Sequence, residues 1–277
     1  MPEYLIGARA HDYGRGLPEE MLKRLAADGF SCTQLAYKKA IAGVDSYQDV
    51  TNELVCQTRQ AMEITGVQVP VLGVYVELAA VDEELRRDHV EQFISQIPVC
   101  KALGASCMGS ETTAMRKQPP GATVEDGQRQ LLKSLDAILP VAEAYNVTVA
   151  LEPVWHHALN TPETVRRVLD TMGSPNLKVL FDPANLMSRE WMDRQDKLFG
   201  RAMELWGDKV MAVHFKGVCY TLDGRRTPCP LEQSAVDYRE AFAAMKGLPQ
   251  AVIPVIREEA VPARAALDIA FMRSFFR

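Results

Sequence analysis

The hydrophobic pattern divides the chain into short apolar runs separated by longer amphipathic segments. Most of the short runs are nearly continuous in apolar residues, as is typical of parallel β-strands covered on both faces. We predict eight such strands, at residues 4–9, 32–37, 67–76, 105–110, 147–152, 177–182, 209–215 and 251–258.

Each predicted strand is followed by a segment with helical spacing of its apolar residues. In one of them, Thr161 and Pro162 are a typical helix start and Gly173 is a typical stop. Pro98 lies inside another segment and predicts a kink there. The predicted helical segments are residues 18–30, 49–66, 82–104, 124–146, 161–173, 193–207, 237–247 and 262–276.

Eight alternating strand–helix units predict an α/β fold, a (β/α)8 TIM barrel that forms one domain over residues 1–277. The main alternative is a doubly wound open sheet. It is less favoured because no glycine-rich phosphate-binding loop follows an early strand. The proline- and glycine-containing stretch 116–123 is predicted to be a loop after strand four, not a domain boundary.

Composition narrows the possible functions. A net charge of −5 disfavours general nucleic-acid binding, and no apolar run approaches the roughly 18 residues of a membrane span. The six cysteines form no C-x-x-C pair, and the N-terminal residues lack the pattern of a signal peptide. We therefore expect a cytoplasmic protein with reduced thiols that binds neither nucleic acid nor membrane.

Four consecutive predicted strands carry side chains suited to metal binding at their C-terminal ends. They are Glu152 on strand five, Asp182 on strand six, His214 on strand seven and Glu258 on strand eight. These strand ends meet at one rim of a TIM barrel, so the four side chains should converge. The neighbouring Glu259 is the alternative to Glu258, because successive strand residues point to opposite sides.

Three converging carboxylates need a nearby cation. Burial penalises their charge, and each raises the pKa of the others. We therefore predict that the four residues bind one divalent metal ion. Three carboxylates and one imidazole favour Mn²⁺, Mg²⁺, Co²⁺ or Fe²⁺ over a structural zinc ion, which prefers cysteine and histidine ligands.

Several motifs resemble those of the xylose isomerase-like TIM barrels. This family includes sugar-phosphate isomerase/epimerase-type proteins, ketose 3-epimerases, inosose dehydratases and endonuclease IV. The resemblance covers nearly the whole chain and is more specific for the superfamily than for a substrate. The motifs are ALEP at 150–153, NTPET at 160–164, SPNLKVLFDPANL at 174–186, VHFKG at 213–217 and PVIREE at 254–259.

The resemblance implies one divalent metal, often manganese, held by the four strand-end residues. We accordingly expect Mn²⁺, with Mg²⁺, Co²⁺, Fe²⁺ or Zn²⁺ as alternatives. In the epimerases of the family the two glutamates also act as the acid and the base. Carried over, these catalytic residues are Glu152 and Glu258.

The resemblance to ketose 3-epimerases is incomplete around the substrate. Asn185 stands where those enzymes often carry histidine, and Tyr220 where they often carry arginine. Gly217 replaces a frequent aspartate. The metal site thus matches the family while the known substrate-binding set does not. A trinuclear site like that of endonuclease IV is disfavoured because the chain has only five histidines and is acidic.

The leading interpretation is a metal-dependent isomerase or epimerase of a sugar, polyol or derivative. One of the two glutamates would take a proton from the carbon beside a carbonyl, and the other would return it. We expect His157 to line the pocket beside the metal, and His156 to point to solvent or to a partner. The other predicted substrate-binding residues are Asn185, Lys216 and Arg257.

Two alternatives keep the same metal site. A lyase or dehydratase would share the proton abstraction but would then expel a β-oxygen. A metal-containing binding subunit without activity is less favoured, because the complete ligand set suits catalysis. Assembly as a homo-oligomer is compatible with all three interpretations.

Overall fold

The protein is described here by a computed structural model that covers residues 3–276. Eight parallel strands form a closed barrel: β1 (Glu3–Arg9), β2 (Cys32–Leu35), β3 (Gln68–Gly73), β4 (Cys107–Glu111), β5 (Val149–Glu152), β6 (Leu177–Phe181), β7 (Val210–Phe215) and β10 (Val252–Arg257). Around the barrel they follow the order β1, β10, β7, β6, β5, β4, β3, β2. The predicted (β/α)8 barrel is confirmed, and all eight predicted strands are present.

Helices surround the barrel and connect its strands. Thr161, Thr123 and Thr51 each cap a helix by accepting a hydrogen bond from a backbone N–H in its first turn. The α-helices are α1 (Pro18–Ala27), α2 (Tyr37–Ala40), α3 (Asn52–Thr65), α4 (Glu83–Ser95), α5 (Ile97–Leu103), α6 (Val124–Tyr145), α7 (Pro162–Met172), α8 (Pro183–Leu186), α9 (Gln195–Trp206), α10 (Tyr238–Ala244) and α11 (Ala265–Arg273).

The structure refines one helix prediction. The segment predicted to kink at Pro98 is instead two helices, α4 and α5, and Pro98 lies in the first turn of α5. A proline is tolerated there because the first N–H groups of a helix have no partner within it. Pro140, by contrast, lies inside the continuous helix α6. Among residues 3–276, no helix has the length and apolar character that crossing a membrane requires.

A small hairpin between β7 and α10 was not predicted. Strands β8 (Val218–Tyr220) and β9 (Arg226–Pro228) pair antiparallel, and Gly224 in the connecting turn has a φ of 81°. The base of the hairpin lies close to the chain at Gly217. A Cβ atom there would lie 1.7 Å from the carbonyl oxygen of Cys229, so only glycine fits. The hairpin follows directly after the barrel strand that carries His214.

The barrel interior is a packed core. Ala150, Leu180 and Ala212 are buried in one apolar cluster with Val71 and Cys107. Each of the first three lies two residues before a predicted metal ligand, which is on β5, directly after β6, or on β7. Because residues two apart share a face of a strand, the ligands sit on top of this core, at the C-terminal mouth of the barrel.

Candidate metal centre

Three of the four predicted ligands form a compact buried cluster. Glu152, His214 and Glu258 each offer a nitrogen or oxygen atom, and these atoms lie within 4.8 Å of one another. His214 Nδ1 is 3.1 Å from Glu152 Oε2 and 3.2 Å from Glu258 Oε1. Neither contact makes a hydrogen bond, so this buried nitrogen has no hydrogen-bond partner.

The other side of the His214 ring is oriented by a glutamine. His214 Nε2 lies 2.8 Å from Gln34 Oε1, and Gln34 Nε2 donates to the hydroxyl of Tyr75 at 2.9 Å. Since the amide nitrogen faces Tyr75, the amide oxygen accepts from His214 Nε2–H. The lone pair of a neutral His214 is therefore on Nδ1, aimed at the two carboxylates. A partner that fixes the far ring nitrogen is typical of a metal-binding histidine.

A divalent cation fits this arrangement. Burial alone lowers the pKa of His214, but Glu258 and Glu152 outweigh it and raise that pKa to about 9. Positive charge is thus strongly favoured between the two carboxylates. One imidazole nitrogen and two carboxylate oxygens are suitable ligands for Mn²⁺, Mg²⁺, Fe²⁺ or a catalytic Zn²⁺.

Asp182 lies beside this cluster and is held by other partners. Its Oδ1 accepts the backbone N–H of Asn185 at 2.9 Å, and its Oδ2 is 2.7 Å from Lys216 Nζ. Lys216 Nζ also donates to Glu258 Oε2 at 2.6 Å. Burial lowers the pKa of Lys216, but the Asp182 and Glu258 carboxylates raise it well above its usual value. The charged lysine therefore joins Asp182 to the cluster, and direct ligation by Asp182 stays a prediction.

Asn185 connects the cluster to the rim of the barrel. Its Nδ2 donates to Glu152 Oε1 at 2.6 Å, and its Oδ1 accepts from a guanidinium nitrogen of Arg226 on β9 at 3.3 Å. The side chain lies in the single turn of α8, which Asp182 caps. Asn185 thus lines the pocket, and its role in binding substrate stays a prediction.

A pocket of about 380 Å³ opens above the cluster, a size suited to a small molecule. His157 lies on its wall, where it is 5% exposed and its Nε2 is 3.9 Å from Glu111 Oε2. His156 lies in the tight turn after β5; it is half-buried and also lines the pocket. That it points to solvent or to a partner stays a prediction.

Several pocket residues were not identified from the sequence. Arg9 at the end of β1 lies 3.5 Å from Glu258 Oε1, and Glu111 ends β4. Burial, together with Glu152 and Glu258, raises the pKa of Glu111 to about 7. Arg9 ends the first predicted strand and Glu111 directly follows the fourth, so charged side chains at or just after the eight strand ends were the available signal. Gln34 gives no such signal, because an uncharged polar residue within a strand is common.

The structure does not place Arg257 in the pocket. Its Nε donates to Asp268 Oδ2 on α11 at 2.8 Å, and both side chains are buried. Strand alternation explains the difference, because Glu258 faces the barrel mouth and the preceding residue must face the helices. Glu259 is exposed at the rim with a φ of 57°, so the structure brings Glu258 rather than Glu259 into the cluster.

Replacing Asp268 with asparagine should destabilise the protein without affecting metal binding. The substitution leaves the Arg257 charge buried without its partner, which costs about 3–5 kcal/mol. We expect a decrease in melting temperature on the order of 10 °C. Asp170→Asn, which breaks the exposed pair with Arg166, is the control and should change stability by less than about 1 kcal/mol. A stable Asp268→Asn protein with impaired activity would contradict this structural role.

A comparison with protein-family models identifies the family of this chain. The model of the family described as xylose isomerase-like TIM barrel matches residues 22–275. The chain therefore belongs to the xylose isomerase-like TIM barrel family. No curated protein sequence gives a significant match.

Solved structures with the same fold include sugar-converting and metal-bound proteins. A D-psicose 3-epimerase, crystallised in the presence of D-fructose, is 15% identical with a TM-score of 0.74, over 98% of this chain and 99% of that chain. The IOLI protein with a bound zinc atom is 16% identical with a TM-score of 0.74, over 100% and 96%. A Mycobacterium smegmatis protein in complex with magnesium is 13% identical with a TM-score of 0.70, over 99% and 98%. At these identities the similarity establishes the fold alone.

Proposed function

We propose that the protein is a divalent-metal-dependent isomerase or epimerase of a small sugar, polyol or derivative. One observation carries this proposal. Two buried carboxylates approach His214 Nδ1, Glu152 at 3.1 Å and Glu258 at 3.2 Å, and Glu258 also lines a small-molecule pocket. Such a pair can hold a cation and can also accept and donate protons. The epimerase and the metal-bound proteins with the same fold support it.

In this proposal Glu152, His214 and Glu258 hold the metal, and Asp182 is the proposed fourth ligand. Manganese is the proposed ion, because a carboxylate-rich set with one imidazole suits it. A bound divalent ion would supply positive charge that acidifies the C–H group beside a substrate carbonyl. Glu152 or Glu258 takes that proton, and the other glutamate returns one. Lys216 keeps its charge beside Asp182 and Glu258, and Asn185 orients Glu152.

The test is solvent exchange on a panel of ketoses, aldoses, polyol ketones and their phosphate and carboxylate derivatives. The metal-free protein is loaded with Mn²⁺, Mg²⁺, Co²⁺, Fe²⁺ or Zn²⁺ and incubated in D₂O, and the products are followed by NMR. An isomerase or epimerase incorporates deuterium beside the carbonyl. Loss of water from the carbon skeleton would instead identify a dehydratase. Absence of metal binding at the Glu152–His214–Glu258 cluster would refute the proposal.

Replacing His157 with glutamine should reduce turnover by about tenfold or more while metal content stays unchanged. Burial, followed by the neighbouring His156, lowers the pKa of His157 to about 4. The ring is therefore neutral at pH 7 and can accept or donate a hydrogen bond to substrate. His89→Gln is the control, because His89 lies on α4 and its Nδ1 accepts a hydrogen bond from the backbone N–H of Glu77. Wild-type turnover in the His157 variant would assign that histidine a structural role.

We also propose a cytoplasmic location. The six cysteines are all free thiols in the structure, which is usual in a reducing compartment.

A further inference from the structure

Two arginines from different loops converge at the mouth of the pocket. Arg116 follows β4, and Arg226 lies on β9 of the hairpin. Both line the pocket above the metal centre and the adjoining apolar recess beside Trp155. His156 lines the same pocket and the same recess as both arginines. Burial lowers the pKa of His156, and the charges of Arg116 and Arg226 lower it further.

Neither arginine forms an ion pair with another described residue. Within residues 3–276, no carboxylate lies within ion-pair distance of Arg116 or Arg226, and the one recorded side-chain partner of Arg226 is the neutral amide of Asn185. The basic residues next to them in the sequence, Lys117 and Arg225, do form ion pairs. Lys117 pairs with Glu77, and Arg225 pairs with Asp223 at 2.8 Å. Two unpaired cations at one pocket mouth of an acidic chain are a favourable environment for an anion.

Asn185 bridges Arg226 and the Glu152–His214–Glu258 cluster. Its amide contacts Glu152 with one end and Arg226 with the other. The guanidinium is therefore separated from a metal ligand by a single side chain. A substrate of a few carbon atoms can place its carbonyl at the cluster and a terminal group at the arginines.

We propose that Arg226 and Arg116 bind an anionic terminal group of the substrate, a phosphate or a carboxylate. The inference rests on the proposed function and narrows it from sugars in general to sugar phosphates or sugar acids. Guanidinium groups suit both anions, because their fixed N–H groups match pairs of oxygen atoms. The recognising residues lie outside the positions at which ketose 3-epimerases often carry histidine and arginine.

The first test does not need turnover. Inorganic phosphate is titrated into the metal-free and the Mn²⁺-loaded protein by calorimetry, with Trp155 fluorescence as a second signal. We expect saturable binding that weakens at least about tenfold in Arg226→Met and in Arg116→Met. Arg225→Met is the matched control on the same hairpin and should bind phosphate like the wild type. Equal binding by all four proteins, or no saturable binding, would overturn the assignment.

The second test compares substrates. Deuterium exchange is measured with neutral sugars, with their phosphate esters and with the corresponding sugar acids. We expect kcat/KM to be at least about 100-fold higher for one anionic class, and Arg226→Met to raise KM for that class with little change in kcat. The class with the higher kcat/KM shows whether the arginines bind a phosphate or a carboxylate. Neutral sugars that react as well as both anionic classes would overturn this inference while leaving the proposed isomerase function intact.

Discussion

Glu258→Gln should abolish metal binding under conditions in which Glu259→Gln retains it. Glu258 is 2% exposed and meets His214 and Lys216, whereas Glu259 is exposed at the rim. Glutamine keeps the size of the side chain but removes the charge that attracts the cation. Loss of a direct ligand should exceed the 10- to 100-fold effect usual for its supporting residues, so we expect at least about 100-fold weaker binding.

We expect Glu258→Gln to lose activity together with its metal, and Glu259→Gln to retain both. Glu258→Gln also removes one of the two proposed proton-transfer groups, which costs roughly 10²- to 10⁴-fold in rate. Metal content is measured by elemental analysis after dialysis, and exchange in D₂O by NMR. Circular dichroism shows whether each variant is folded. Metal retention in folded Glu258→Gln with loss in Glu259→Gln would reverse the assignment of the two glutamates.

Lys216→Met should make the protein strongly dependent on metal for its stability. Lys216 Nζ lies between Asp182 and Glu258, and all three side chains are buried. Methionine fills similar space without charge, so two buried carboxylates lose their shared partner. Removing one member of a buried ion pair costs about 3–5 kcal/mol, and we expect the metal-free variant to lose that much.

A bound divalent cation should restore much of the lost stability of Lys216→Met, because it supplies the missing positive charge next to Glu258. Any ligand that binds only the folded state also stabilises that state. The measurement is thermal or urea unfolding of the wild type and the variant, each in excess chelator and in excess Mn²⁺. Lys117→Met, which breaks an exposed pair with Glu77, is the control and should cost about 1 kcal/mol or less. A chelated Lys216→Met protein as stable as the wild type would show that the lysine is not needed to balance these charges.

The sequence was sufficient to predict that Glu152, His214 and Glu258 lie close together. Glu152, Asp182 and Glu258 end apolar runs and His214 lies one residue before the end of another, and a barrel brings the ends of its strands to one rim. Alternation along a strand then determines which side chains face inward. The same rule argues against Arg257 as a pocket residue once Glu258 is placed inward. Strand alternation therefore places Arg257 against the helices, where it contacts Asp268, and not among the substrate ligands.

The walls of the site were harder to predict because they depend on how loops fold onto the barrel. Asp223 and Gly224 are a hairpin signal that could have been recognised between the short runs around them. No local pattern, however, shows that Arg226 reaches Asn185 on α8, because that contact joins residues 41 positions apart. The role of Gln34 was unpredictable for the same reason, because Gln34 and the His214 side chain that it contacts are 180 positions apart.

The tight closure of the hairpin at Gly217 has an evolutionary consequence. The backbone N–H of Cys229 donates to the Gly217 carbonyl at 3.1 Å, so the hairpin leaves and rejoins the chain at almost one point. Insertions, deletions and replacements between these two residues can therefore alter the rim without moving His214 on β7. In this architecture new substrate preferences can arise by exchanging one short segment, while the proposed metal-binding residues at the barrel mouth are inherited unchanged.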